Sequence, residues 1–290
     1  MIYRSAEEWR AAPARRVVLF GMSGLGKTHL SNILRQSGGW FHYSVDYRIG
    51  TRYMGEHIVD NFKKEAMRNP FLAKLLRSDS IYIASNITFN NLAPLSSYLG
   101  KPGDPEKGGL PFDEYLRRQE LHRNAEIQAM LDTPHFIRRA KELYDYDHFV
   151  CDSSGSICEV VNPDDPEDPV LKTLSSHLLL VWIRGDRAHR DELIRRFDRA
   201  PKPMYYEPSF LKAKWAEYLE ETGQRPEQVD PDAFIRWTYA QALDHRQPRY
   251  EAMARNWGVT VDAADVAEVR DEADFIDLVA GALAPANASA

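Results

Sequence analysis

The chain contains few of the residues that mark several large protein classes. Only two of its 290 residues are cysteine, Cys151 and Cys158, seven positions apart with no second pair to match. That disfavours a cysteine zinc site and leaves the expectation of two ordinary thiols in a reducing cytosol. No apolar run approaches the roughly 18 residues that a membrane-spanning helix needs, so no membrane partner is expected. The opening stretch, MIYRSAEEWRAAPARR, carries acids and has no apolar core, which argues against a secretory signal and for a cytoplasmic location. Basic excess is missing too: 37 Lys and Arg stand against 43 Asp and Glu, a formal net charge of −6. A nucleic-acid partner is therefore disfavoured, and local basic clusters better suit a small anionic ligand.

Against these absences stands a hydrophobic content of 43%, ample for one large α/β domain. Short β-branched or aromatic runs ending in turn residues predict strands at 16–20, 40–45, 80–84, 147–151, 177–183 and 257–261. Helical patterns occupy 27–36, 55–68, 113–143, 188–198, 208–222, 231–245, 248–256 and 265–281. This alternation predicts a mostly parallel sheet with helices on both faces. The passage GKPGDPEKGG at 100–109 reads as a loop, and NPDDPEDP at 162–169 as an acidic solvated loop whose prolines break calcium-loop spacing. The end, 283–290, is expected to be a flexible tail; its Asn287-Ala-Ser pattern matches a glycosylation acceptor only by letter.

The most specific feature is Gly21-Met-Ser-Gly-Leu-Gly-Lys27-Thr28, which satisfies G-x-x-x-x-G-K-[ST] between an apolar strand and a helical pattern. Glycines let successive N–H groups curl toward phosphate oxygens, and the start of the helix adds its positive dipole end. Gly21, Ser23, Gly24, Leu25, Gly26, Lys27, Thr28 and His29 are thus the expected nucleotide-binding run. Lys27 would meet the β- and γ-phosphates, and the Thr28 hydroxyl would meet Mg²⁺. The guanine-reading Asn-Lys-x-Asp is absent. The run HFVCD ends in Asp152 followed by Ser153 rather than a second acid, so Asp152 is the candidate second magnesium group, with a turn or capping role as its alternative.

Two further stretches complete the candidate site. Asp46 lies nineteen residues after Lys27, at the end of the second predicted strand, where a carboxylate could take a proton from an attacking hydroxyl. Arg48 and Arg52 follow it and would clamp an anionic substrate; the alternative is a helix-capping Asp46 with solvated arginines. Residues 183–204 hold Arg184, Arg187, Arg190, Arg195, Arg196 and Arg199, with acids that could pair several of them. A mobile basic lid supplying one or two arginines to a transferring phosphoryl group is the favoured reading.

In chain order these motifs resemble the shikimate kinase and gluconate kinase branch of P-loop small-molecule kinases. The blocks are Gly21–Thr28, the D-x-x-I of Asp46 to Ile49, Phe62-Lys63-Lys64-Glu65, the turn Asp152-Ser153-Ser154-Gly155-Ser156, RRFDRAPKPM, and Arg246, Pro248, Tyr250 and Ala254. The resemblance implies a P-loop three-layer fold, ATP and Mg²⁺. It also implies Asp46 on the substrate hydroxyl, Arg246 on a substrate carboxylate, Ser153, Ser154 and Gly155 beside the substrate, Arg195 or Arg199 in the lid, and Arg184 or Arg187 against adenine. The chain departs from that pattern at Ser44, at the DSSGS turn, and in a segment of some 80 residues, 67–146, without counterpart in the small kinases. The expected organisation is one kinase-like domain over 1–290 with a mainly helical insertion at 67–146, forming a lid, an acceptor pocket or a docking surface for a protein partner. The expected function is Mg-dependent transfer from ATP to a hydroxyl of a small anionic acceptor. The alternatives are an ATPase that switches a partner-binding surface, and a kinase for nucleotide or nucleic-acid ends.

Overall fold

Val17, Val18, Leu19 and Phe20 are wholly buried, as a strand covered on both faces must be. They form β1 (Arg16–Phe20), the middle of a five-stranded, all-parallel sheet. The other strands are β2 (Trp40–Ser44), β3 (His148–Asp152), β4 (Leu179–Arg184) and β5 (Gly258–Asp262). Their order is β2-β3-β1-β4-β5, with Val18 in register with Cys151 on one side and Leu180 on the other. The edge strand β5 alternates half-buried and buried residues, whereas β4 reads as a continuous buried run. The β1-to-β2 connection runs one way along the sheet, and those from β3 to β4 and β4 to β5 run the other. Right-handed crossovers therefore lay helices on opposite faces.

The computed structural model describes residues 1–284; the end of the expected tail, including Asn287, lies outside them. The chain divides into two compact units. The first takes Met1–Val45, Ile127–Ala200 and the chain from Tyr239 onward, and holds the sheet. Helices Lys27–Gln36 and Thr133–Tyr144 pack on β2 and β3, Pro169–His177 on β4, and Glu272–Leu283 on β5. Its two chain ends are clasped together: fully buried Trp9 stands edge-on to Phe275, and its indole N–H donates to the Ile276 carbonyl at 2.9 Å. This first unit is a P-loop α/β fold.

The second unit, Asp46–Glu126 and Pro201–Thr238, is helical. Its core is aromatic. Phe112 stacks on Trp215 at 4.7 Å, and Phe234 stands edge-on to Trp215 and Tyr218. Buried Arg118 lies 4.7 Å over the Tyr98 ring and donates to Asn61 and Glu114. The segment 67–146 is thus shared: its residues up to Glu126 belong to the second unit, and the rest to the first.

Three expectations are corrected here. Residues 80–84 form no strand; although β-branched, they gain no ladder partner, and 81–87 lies outside any element. The patterns at 231–245 and 248–256 are one helix, Pro231–Trp257, that continues through Pro248. Proline removes one helical bond, but Arg246, Arg249 and Tyr250 around it are all anchored to the turn after β3. In the acidic loop at 162–169, Asp168 is buried because it caps helix Pro169–His177, accepting from the Val170 and Leu171 amides.

Candidate nucleotide site

β1 delivers the chain into the glycine loop, and helix Lys27–Gln36 starts directly from it. Gly26 caps that helix in the left-handed region (φ 104°), and a side-chain carbon there would lie 2.8 Å from Val266. Both facts require glycine. Lys27 is buried, and its ammonium donates to the Gly21 carbonyl at 2.8 Å and the Met22 carbonyl at 3.0 Å. The loop thus holds its lysine folded inward onto its own carbonyls.

The neighbouring strand supplies the acid. The Thr28 hydroxyl donates to Asp152 Oδ2 at 2.9 Å, joining the first helical turn to the end of β3. Burial holds the Asp152 carboxyl above its ordinary pKa, against the opposing pull of the Lys27 charge and the Thr28 bond. A hydroxyl and a carboxylate side by side are oxygen donors of the kind Mg²⁺ takes, and a buried carboxylate with raised pKa gains from a cation. The residues fit that ion. His42 Nε2 lies 3.9 Å from the same carboxylate oxygen, but burial, aided by the Arg35 charge, pushes the imidazole down to about 4. At neutral pH His42 is therefore an uncharged neighbour of Asp152. Its signal in the sequence was a polar residue inside an otherwise aromatic and apolar strand.

The DSSGS turn closes over the loop. The Ser153 amide donates to the Leu19 carbonyl at 3.2 Å, and a side-chain carbon at Gly155 would lie 3.3 Å from the Ser23 amide nitrogen. Ser154 and Ser156 share a hydroxyl–hydroxyl bond of 3.1 Å. Helix Pro231–Trp257 fastens this turn. Tyr250 donates its hydroxyl to the Gly155 carbonyl at 2.6 Å, and Arg249 donates to the Cys158 carbonyl at 2.7 Å. Arg246 Nη2 donates to Glu159 Oε2 at 2.6 Å, both side chains being buried, while Glu159 Oε1 has no hydrogen-bond partner. A substrate carboxylate would have to share the Arg246 guanidinium with Glu159. The sequence clue to that pair was a lone acid inside the apolar run SICEVV.

Beside the loop opens a cavity of about 220 Å³, with Met22, Leu25, Leu193 and Leu243 as its apolar walls and Arg187 and Gln247 as polar ones. Arg184 instead forms a two-point pair with Asp262, at 2.7 and 3.0 Å. The arginine-rich stretch is a regular helix, Arg187–Arg199, capped by Asp186. Arg190 grips Asp244 with two 2.8 Å bonds, Arg195 and Arg196 both reach Glu192, and Phe197 stacks on Tyr239 at 3.8 Å. Arg195 and Arg199 are on its exposed side.

Asp46, Arg48 and Arg52 belong to the second unit. Asp46 follows β2 by two residues in the short helix Val45–Arg48; the Arg48 guanidinium lies 5.5 Å over the Tyr53 ring, and Arg52 is exposed. Among the described residues no group of three or more His, Cys, Asp or Glu side chains is placed to hold a metal ion, and no helix is long and apolar enough to cross a membrane.

No protein-family model matches the chain, and no curated protein matches it. One solved structure with a similar arrangement is a shikimate kinase from Bacteroides thetaiotaomicron, 15% identical over 91% of this chain and 94% of that one, with a TM-score of 0.36. A likeness of that depth carries no functional argument. The P-loop fold rests on the parallel sheet and the glycine loop described above.

Proposed function

We propose that the protein is a Mg-dependent phosphotransferase that moves the γ-phosphoryl group of ATP to a hydroxyl of a small anionic acceptor. The observation that carries the reading is the Thr28–Asp152 contact of 2.9 Å at the mouth of a complete P-loop. The carboxylates near that loop support transfer over hydrolysis. Asp152 is engaged by Thr28, Glu159 by Arg246, and Ser153 stands where a second acid could activate water.

In this reading the loop amides and Lys27 bind the β- and γ-phosphates, and Lys27 exchanges its bonds to the Gly21 and Met22 carbonyls for phosphate oxygens. Thr28 and Asp152 hold Mg²⁺, which when bound neutralises charge on the phosphates. The cavity walled by Met22, Leu25 and Leu193 takes the base, with Arg187 against it. Arg195 or Arg199 supplies positive charge to the transferring group. On the acceptor side, Asp46 orients the hydroxyl and receives its proton, and Arg48 and Arg52 meet the acceptor's negative charge.

The test is ATP turnover without acceptor and then with pooled hydroxy acids, sugar acids and nucleosides. Acceptor-dependent turnover that Asp46→Asn abolishes while ATP binding persists supports the reading. Turnover stimulated only by a protein partner favours the switch ATPase and sinks it.

A further inference from the structure

The second unit carries a stretch that behaves as a strand yet has no sheet. From Ile81 to Ile87 exposure alternates residue by residue: Ile81, Ile83, Ser85 and Ile87 are half-buried, and Tyr82, Ala84 and Asn86 are exposed. That period of two is the signature of an extended chain with one packed face. Among the described residues none of the seven N–H groups has a protein acceptor, and of the carbonyls only that of Asn86 accepts a bond, from the Asn91 side chain at 2.6 Å. The stretch is nonetheless fixed at both ends. The Ser80 amide bonds the Leu75 carbonyl, Thr88 and Asn91 exchange backbone bonds, and Ile87 packs so closely on Gly50 that a side-chain carbon there would lie 3.0 Å away.

A groove of about 570 Å³ runs beside it, with Ala84, Ser85 and Ile87 on one wall and helix Gly55–Ala66 on the other. That helix presents Glu56, Asp60 and Lys63 to the groove. Asp60 is paired with Lys63 at 3.3 Å, whereas Glu56 enters no ion pair among the described residues. Tyr82 at 88% and Phe71 at 68% are among the most exposed large apolar side chains of the unit. Exposed unpaired edges are a liability that proteins ordinarily cover or blunt.

From this we infer that residues 81–87 are a docking strand, and that an extended peptide with basic side chains lies in the groove and pairs with them. Main-chain bonds to the idle N–H groups on the open edge, which in an extended chain belong to alternate residues, would supply affinity, and alternate side chains would enter the groove toward Glu56. A second copy of this chain is the poorer occupant, because it would bring a second unpaired Glu56 to the same groove rather than a basic side chain. The inference does not rest on the phosphotransferase reading.

The test uses the full chain and a fluorescein-labelled pool of nine-residue peptides with lysine at alternate positions and β-branched or aromatic residues between. Fluorescence anisotropy should show binding at least tenfold tighter than for the same pool with glutamate for lysine, or with alternate amides N-methylated. Hydrogen exchange at 81–87 should slow at least tenfold on binding. Ala84→Pro deletes a donor that the fold does not use, and should weaken binding about fivefold; Glu56→Lys should reverse the charge preference. The inference is overturned by absence of binding, by binding that leaves exchange at 81–87 unchanged, or by sedimentation showing that the chain pairs with itself through this stretch. ATP turnover, measured in parallel, reports on the other reading alone.

Discussion

Replacing Asp152 by asparagine separates the cost of the acid from its use. Asparagine keeps the shape and can still accept the Thr28 hydroxyl bond, but carries no charge. Burial raises the Asp152 pKa in the fold. The native state therefore holds a proton that the unfolded chain has lost, and the ionised group subtracts stability as pH rises from the unfolded value through the raised one. At neutral pH the ligand-free Asp152→Asn protein should be at least as stable as the parent, and the gain should vanish at acid pH. Binding should move the other way. Loss of an oriented carboxylate at a metal site costs about 10–100-fold in metal affinity. With MgATP near saturation, a 100-fold weaker affinity removes up to about 2.7 kcal/mol of ligand stabilisation, a fall on the order of 5 °C in the ligand-induced Tm shift. Scanning fluorimetry with ATP plus Mg²⁺, and with ATP plus EDTA, reads both quantities. An Asp152→Asn protein whose MgATP shift matches the parent's, or one already destabilised without ligand, would refute the placement of Asp152 at the metal.

Other outcomes follow from the same geometry. Lys27→Ala should remove ATP binding, read by calorimetry, while leaving far-UV circular dichroism unchanged. Glu159→Ala removes the buried carboxylate paired with Arg246 and should cost about 3–5 kcal/mol in urea unfolding, whereas Glu159→Gln should cost less. Tyr250→Phe deletes the bond to the Gly155 carbonyl, about 1 kcal/mol. If that bond sets the turn against the phosphate loop, ATP affinity should fall while the urea midpoint moves little. Burial pushes Cys151 up, and Cys158 up to about 12, so a thiol reagent should label neither in the native protein and both after unfolding.

The sheet was legible where local pattern and environment agree. β1 and β4 are buried on both faces, and their apolar runs stand out against polar flanks. The P-loop was legible because phosphate chemistry dictates its residues one by one. What the sequence concealed depends on partners distant in the chain. SIYIA has the composition of a strand, but a strand exists only by pairing, and among the described residues it pairs with none. Pro248 reads as a helix stop until the anchoring of Arg246, Arg249 and Tyr250 is seen. The arginines of 184–199 read as a mobile lid, yet Asp244, Asp262 and Glu192 answer four of them. Two of these acids lie more than fifty residues away. Likewise Arg246 met an acid that sequence spacing could not place beside it, and the second unit joins Asp46–Glu126 to Pro201–Thr238, segments distant in the chain.

The most direct test of the phosphotransferase reading follows the γ-phosphorus itself. Phosphorus NMR of the full chain with MgATP and the acceptor pool distinguishes a phosphate monoester from inorganic phosphate. A new monoester resonance should grow as ATP is consumed and be absent with Lys27→Ala and Asp46→Asn. Inorganic phosphate as the sole product, at a rate indifferent to the acceptors and to Asp46→Asn, would contradict it.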